Sequence, residues 1–260
     1  MPQYNPDFIL PTLARKPDTA HPYDEEFDEG TTLDAAWNAR IYDSDTTTFS
    51  EVTMSSDVCS TYNGSSEFRV NVNPTQRPSY LRAQPPEGKS GWLWRAVTVP
   101  ENFLIYMRFN TTSDLAVNSS ERGSVGIVLT EANTGDSSLP GDINNHISMT
   151  MLQYPGHHYH MVPLAQKRHN GTAYNTKLYD RHSEGSPIEY LAMHKIGTTY
   201  HCYAGSESNW VKLNTFAGVS FNMTHLKIAM IDKPQTSSDP NRIQSIDFIR
   251  FLETDKFPIF

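Results

Sequence analysis

The hydrophobic pattern is densest between Ile188 and Leu213, IEYLAMHKIGTTYHCYAGSESNWVKL. Ile188 to Ile196 is a run of bulky apolar and aromatic residues that Gly197-Thr198 interrupts. Thr199 to Ala204 then alternates. Tyr200 and Cys202 fall on one face and His201 and Tyr203 on the other, the period of two that a strand imposes. Gly205 to Asn209 is small and polar, a loop of hairpin length, and Trp210 to Leu213 opens a third run. Two hairpins in succession predict an antiparallel meander.

The same alternation recurs along the chain. Phe68, Val70 and Val72 predict a half-buried strand that Pro74 and Pro78 end. Trp92, Trp94 and Ala96, with Val97 and Val99 behind them, predict another. After a break at Pro100, Phe103, Ile105, Met107 and Phe109 predict a long one. Val125 to Leu129, Ile147 to Met151, Leu226 to Met230 and Ile243 to Leu252 predict four more. Pro155 to Ser186 has no apolar period and reads as a long irregular segment. Leu33 and Trp37, one helical turn apart, predict a short turn at most. The count is at least ten strands, no long helix and no repeat. It predicts one all-β domain over residues 23–260, an antiparallel two-sheet β-sandwich or jelly roll.

Residues 1–22 are different. Pro2, Pro6, Pro11, Pro17 and Pro22 forbid a regular helix or central strand there. Phe8, Ile9, Leu10 and Leu13 still give the segment an apolar side. It reads as an extended N-terminal arm lying against the domain or a partner subunit, or else as a plain flexible terminus.

Composition narrows the function classes. Apolar residues make up 37% and charged residues 19%, so uncharged polar side chains fill the remainder, which favours strands and polar loops over helical bundles. The net charge is −8, and the longest basic stretch is Gln166-Lys167-Arg168-His169. That excludes a phosphate-backbone partner, so no nucleic acid is expected. No run approaches the ~20 apolar residues of a membrane span. Met1-Pro2-Gln3-Tyr4 has neither the basic nor the apolar region of a signal peptide, so the chain is expected to be made and kept in a cytoplasm. The two cysteines, Cys59 and Cys202, read as buried free thiols, with pairing left open.

Four segments together resemble the concanavalin A-like lectin/glucanase superfamily, laminin-G-like domains included. They are EFDEGTTLDAAW, SGWLWRA, YLAMHKIGTTYHCYAGSESNW and the closing IQSIDFIRF. In that family an early F-D-x-x-x-L-D-x-x-W segment opens the sandwich and the closing strand pairs with the N-terminal one. Its late hairpin carries R-x-G-x-x-Y-x-x-Y-x-S-x-D-G-x-x-W. Gly197, Tyr200, Tyr203, Ser206 and Trp210 keep that hairpin pattern, and Glu207-Ser208-Asn209 replaces its D-G turn. The leading NPDFILPTL arm resembles the variant carried by tailed-phage virion proteins. The resemblance covers about residues 23–253.

The resemblance implies a concanavalin A-like jelly roll and a non-enzymatic bacteriophage virion structural protein, in a tail, fibre or capsid appendage. Residues 1–22 would join it to other virion proteins, and the sandwich would touch host surface glycans. A homo-oligomer follows by analogy, a trimer in such appendages, assembled in the host cytoplasm. Two alternatives stay open: a purely architectural cement protein with no ligand, and a polysaccharide-cleaving glycoside hydrolase.

Family glucanases set a Glu-x-Asp-x-x-Glu pattern on one strand, two carboxylates ~5 Å apart. No such pattern occurs. The acidic residues Asp24, Glu25, Glu26, Asp28 and Glu29 sit near the start, and Glu184 and Glu189 are not spaced to share a face. No catalytic residue is expected. The candidate sugar contacts are aromatic: Trp92, Trp94 and Tyr106, with Arg95 to hydrogen-bond hydroxyls and Tyr159 from the histidine-rich loop. Core packing is the competing reading for the first three, and Trp210 reads as core. His157, His158 and His160 lack the spacing of a metal site. No cofactor and no metal site is expected. Relatives that use calcium draw attention to Asp136, Asp142 and Asn144, which make no firm ligand pattern.

Overall fold

The computed structural model describes residues 20–26, 36–43, 48–52, 59–62, 65–71, 89–111, 122–132, 144–153, 161–178, 188–206, 209–233 and 243–256. These form fifteen strands and no helix. In chain order they are β1 (Asn38–Asp43), β2 (Thr48–Val52), β3 (Cys59–Tyr62), β4 (Ser65–Asn71), β5 (Lys89–Ala96), β6 (Asn102–Thr111), β7 (Arg122–Thr130) and β8 (His146–Gln153). Then follow β9 (Met161–His169), β10 (Thr172–Leu178), β11 (Tyr190–Ile196), β12 (Thr199–Ser206), β13 (Asn209–Phe216), β14 (His225–Lys233) and β15 (Ile243–Leu252).

Two antiparallel sheets result. The eight-stranded sheet has the order β10-β9-β8-β7-β14-β5-β1-β2, and the seven-stranded sheet β13-β12-β11-β6-β15-β4-β3. The expected two-sheet sandwich is therefore the fold. The predicted meander is present as β11-β12-β13. Its first hairpin turns on Gly197, whose φ of 57° suits a residue without a Cβ. Its second loop is shorter than predicted, because β12 runs on to Ser206 and β13 begins at Asn209.

Alternation sorts each strand into an inward and an outward set. Phe103, Ile105, Met107 and Phe109 of β6 face inward, as do Val125, Ile127 and Leu129 of β7. Leu191 and Met193, Tyr200 and Cys202, and Ile249 and Phe251 complete the layer between the sheets. Phe103 stacks on Phe251 at 4.7 Å and meets Tyr200 edge-on at 6.2 Å. Each such fully buried side chain contributes about 1.5–3 kcal/mol of transfer free energy.

The stretch His21–Glu26 is stitched to β15. Glu25 and Ile249 exchange both backbone hydrogen bonds, and Asp24 Oδ1 accepts from the Phe251 amide at 2.6 Å. The N-terminal stretch thus pairs with the closing strand, as the resemblance implied. Burial raises the Asp24 carboxyl, and the bonds from Phe251 and His21 oppose it. Of the predicted arm, residues 1–19 lie outside the described residues. His21 stacks on Phe251 at 4.7 Å and so packs with the sandwich.

Several expectations need correction. Residues 161–178 are not irregular: they form the β9–β10 hairpin. Its tip is Asn170-Gly171 with φ of 49° and 77°, the left-handed pair that a tight hairpin demands. Strands β1, β2 and β3 were not predicted either. The reading of free thiols, by contrast, holds for Cys202, and the pairing left open is excluded within the chain. Cys202 is on β12 and Cys59 on β3, five strands apart in one sheet, or roughly 24 Å at ~4.8 Å per strand. A disulfide needs Cα atoms within about 7 Å. Cys202 is a free, buried thiol, and burial raises its pKa.

Candidate functional site

The four described sugar-contact candidates do not form one groove. Strands β5 and β6 are consecutive in sequence but belong to different sheets, because the connection at 97–101 crosses between them. On β5, Leu93 and Arg95 are buried while Trp94 is half-buried on the opposite, outward face. Trp92 pairs with Ala229 where Trp94 pairs with Lys227. Nothing more is described of Trp92. Arg95 cannot flank Trp94, since neighbouring strand residues point to opposite faces. Its guanidinium lies inside, 4.8 Å from the Tyr23 ring centre and 5.3 Å from that of Trp37. Tyr106 is on the outward face of the other sheet and fully buried there. Tyr159 lies outside the described residues, as do His157, His158, His160, Asp136 and Asp142. Asn144 is exposed, and its carbonyl accepts from the Gly171 amide at 3.0 Å. Among the described residues no group of His, Cys, Asp and Glu could hold a metal ion.

The sandwich therefore offers two outward faces. On the eight-stranded sheet one cross-strand tier reads Trp94, Lys227, Val128, Ser148, Gln166. Beside it lie Thr130, His146 and Thr150. These side chains are polar, yet Lys227, Ser148, Thr130, His146 and Thr150 are all buried. Trp94 leans on His225 at 5.7 Å. Gly126 brings β7 and β8 so close that a Cβ there would sit 2.3 Å from the Met149 carbonyl oxygen.

The outward face of the seven-stranded sheet is aromatic and cationic. Register builds it in three tiers. The first runs Trp210, Gly205, Tyr190, Arg108, Phe248. The second runs Lys212, Tyr203, Ala192, Tyr106, Arg250, and the third Thr215, His201, His194, Leu104, Leu252. Toward the centre the face is closed: Leu104, Tyr106, Tyr190, Ala192 and Phe248 form a second apolar cluster. Burial there lifts the Tyr106 hydroxyl to about 12, against the pull of the neighbouring Arg250. Arg250 lies over Phe248 at 3.7 Å and is held by Glu26 through two bonds, Nε to Oε1 at 2.7 Å and Nη2 to Oε2 at 2.9 Å.

Toward the β13 edge the same face opens. Trp210 and Tyr203 are half-buried, with Lys212 exposed beside them. Gly205 has no side chain to separate its neighbours, so the Trp210 and Tyr190 rings meet at 5.7 Å. A register shift between Cys202 and Tyr203 brings Lys212 opposite Tyr203, with its ammonium 5.8 Å from the ring centre. His201 Nδ1 and Thr215 Oγ1 are 3.1 Å apart. Burial lowers the His201 pKa, and the charges of Lys212 and His194 lower it further. His194, buried 6.3 Å from His201, is lowered chiefly by burial. Trp210 is thus only partly buried, and it packs against the second apolar cluster rather than in the layer between the sheets. It belongs to an outward platform of Trp210, Tyr203 and Lys212, which can stack on an apolar ring face and present a cation beside it.

No protein-family model matches the chain, and no curated protein does. Solved structures do. The carbohydrate recognition domain of Emp47p superposes with a TM-score of 0.54 at 9% identity, over 89% of this chain and 95% of that one. A glycoside hydrolase family protein from Mycobacterium thermorestibile gives 0.55 at 12% identity, over 88% and 99%. Bacteroides ovatus Xyloglucan PUL GH43B gives 0.52 at 14% identity over 91% of this chain, which spans 40% of that one. At these identities the likeness is one of fold: the chain is a lectin-like, concanavalin A-like β-sandwich.

Proposed function

We propose that this chain is a non-enzymatic glycan-binding domain whose ligand seat is the Trp210–Tyr203–Lys212 edge of the seven-stranded sheet. One observation carries the proposal. Large aromatic rings that an ordinary sandwich would turn inward are half-buried on an outward face, next to an exposed cation. Such rings cover the apolar face of a pyranose while flanking polar groups bind its hydroxyls. The likeness to a carbohydrate recognition domain supports the reading.

A hydrolytic reading has less support on this face. Strands β6, β11, β12 and β13 contain no Asp or Glu. A retaining pair ~5 Å apart would have to come from outside these four strands. We place the domain on a tailed-phage particle, as an oligomeric tail, fibre or capsid component. That placement is carried by the sequence resemblance alone, and copurification of the chain with intact virions tests it.

A glycan array tests the central reading. The wild-type chain should bind a defined set of glycans, and Trp210→Ala should lose them. Retention of the full set by the variant, or no glycan bound at any protein concentration, overturns it.

A further inference from the structure

The charge on this face narrows the kind of glycan. The chain as a whole is acidic, at −8. Yet Lys212 stands opposite Tyr203 with its ammonium 5.8 Å from the ring centre, His201 lies two residues along the same strand, and Arg108 lies over Tyr190 at 5.9 Å in the neighbouring tier. Among the described residues, acidic groups also border this face. Glu26 is bonded to Arg250, Glu189 precedes Tyr190, and the charge of Asp255 acts on His194. A local positive field on an acidic chain selects against neutral non-specific partners less than it selects for an anion.

We infer that the platform takes a negatively charged glycan, one whose sugar carries a carboxylate or a sulfate ester, with Lys212 meeting the charge and Trp210 and Tyr203 meeting the ring. This rests on the glycan-binding reading above and names its ligand class. A charge-assisted hydrogen bond from an ammonium is worth roughly a factor of ten in affinity. His201 adds to the field when protonated, so acidic ligands bind more tightly as pH falls. Lys212 and His194 are the charged groups that oppose its protonation.

The test is calorimetric titration with trigalacturonate, its methyl ester and a sulfated galactose disaccharide, at low and high salt. Trigalacturonate or the sulfated sugar should bind about tenfold more tightly than the neutral ester. The advantage should shrink with added salt. Whichever anion shows the advantage identifies the source of charge. Lys212→Gln should erase it, with the melting midpoint measured alongside to show that the variant is folded. If all three bind equally and Trp210→Ala abolishes them, the charge inference is overturned and the glycan reading stands. If Lys212→Gln keeps the full advantage, the inference is also overturned. If none of the three binds and the array is empty, both fail together.

Discussion

The two outward faces of the sandwich have opposite chemistry and opposite access. The face of the eight-stranded sheet carries hydroxyls, an amide, His146 and Lys227, and nearly all are sealed. The face of the seven-stranded sheet carries rings and cations, sealed at the centre but open at the β13 edge. Polarity is thus a poor guide to which face is open to solvent. Burying polar groups commits them to partners inside the molecule. An aromatic ring left half-exposed keeps an unspent apolar surface.

That contrast can be broken from either side. The largest effect is expected at the Arg250–Glu26 pair, which anchors the centre of the aromatic face. Glu26→Ala removes the carboxylate that pairs with the Arg250 guanidinium, a group at 3% exposure. Breaking such a pair costs about 3–5 kcal/mol. Calorimetric melting should show a midpoint drop of about 6–20 °C. A change within error would show that the face is not pinned there. The next effect is expected on the other face. Gly126→Ala forces a Cβ into the Met149 carbonyl and the Thr150 backbone, which must part. Overpacking of this kind costs about 1–3 kcal/mol. Urea unfolding reads it directly, and a neutral result would mean that β7 and β8 can separate freely.

The smallest effect is a pH dependence belonging to the seven-stranded face alone. His194 and His201 have pKa values lowered in the folded chain, so the unfolded chain binds their protons more readily. Stability is therefore flat above the unfolded value near 6.5 and falls as pH drops below it, levelling off below the lowered folded values. Melting midpoints between neutral and mildly acidic pH should decline, and His194→Gln should flatten the decline. An unchanged slope would remove His194 from the account.

How much of this was readable in the chain depended on what each strand buries. Strands β6, β7, β8, β12, β14 and β15 show a clean alternation, because one side of each enters the layer between the sheets. Strands β1, β2, β3 and β10 lie at or next to sheet edges and are rich in polar residues. An edge strand buries less, so its pattern is fainter. The Asn170-Gly171 turn was there to be read, and it was obscured by the polar residues Gln166 to His169 before it.

The site was only half legible. Alternation correctly separated His201 and Tyr203 from Tyr200 and Cys202. It could not say which sheet a strand joins, so Trp94 and Tyr106 were grouped although they face away from each other across the sandwich. Nor could it say which side of β13 faces inward. Trp210 and Leu213 are both apolar, and the register shift opposite them decides the matter.

The central claim is that ligand binds at Trp210 and not at Trp94. The direct measurement is the affinity of Trp210→Ala and Trp94→Ala for one array-selected glycan, taken side by side with their melting curves. The account predicts a loss of tenfold or more for Trp210→Ala, in line with the ~1.4–2 kcal/mol or more of a central aromatic anchor, and wild-type affinity for Trp94→Ala. Full binding by Trp210→Ala with loss in Trp94→Ala, both variants folded, would contradict it and move the site to the other sheet.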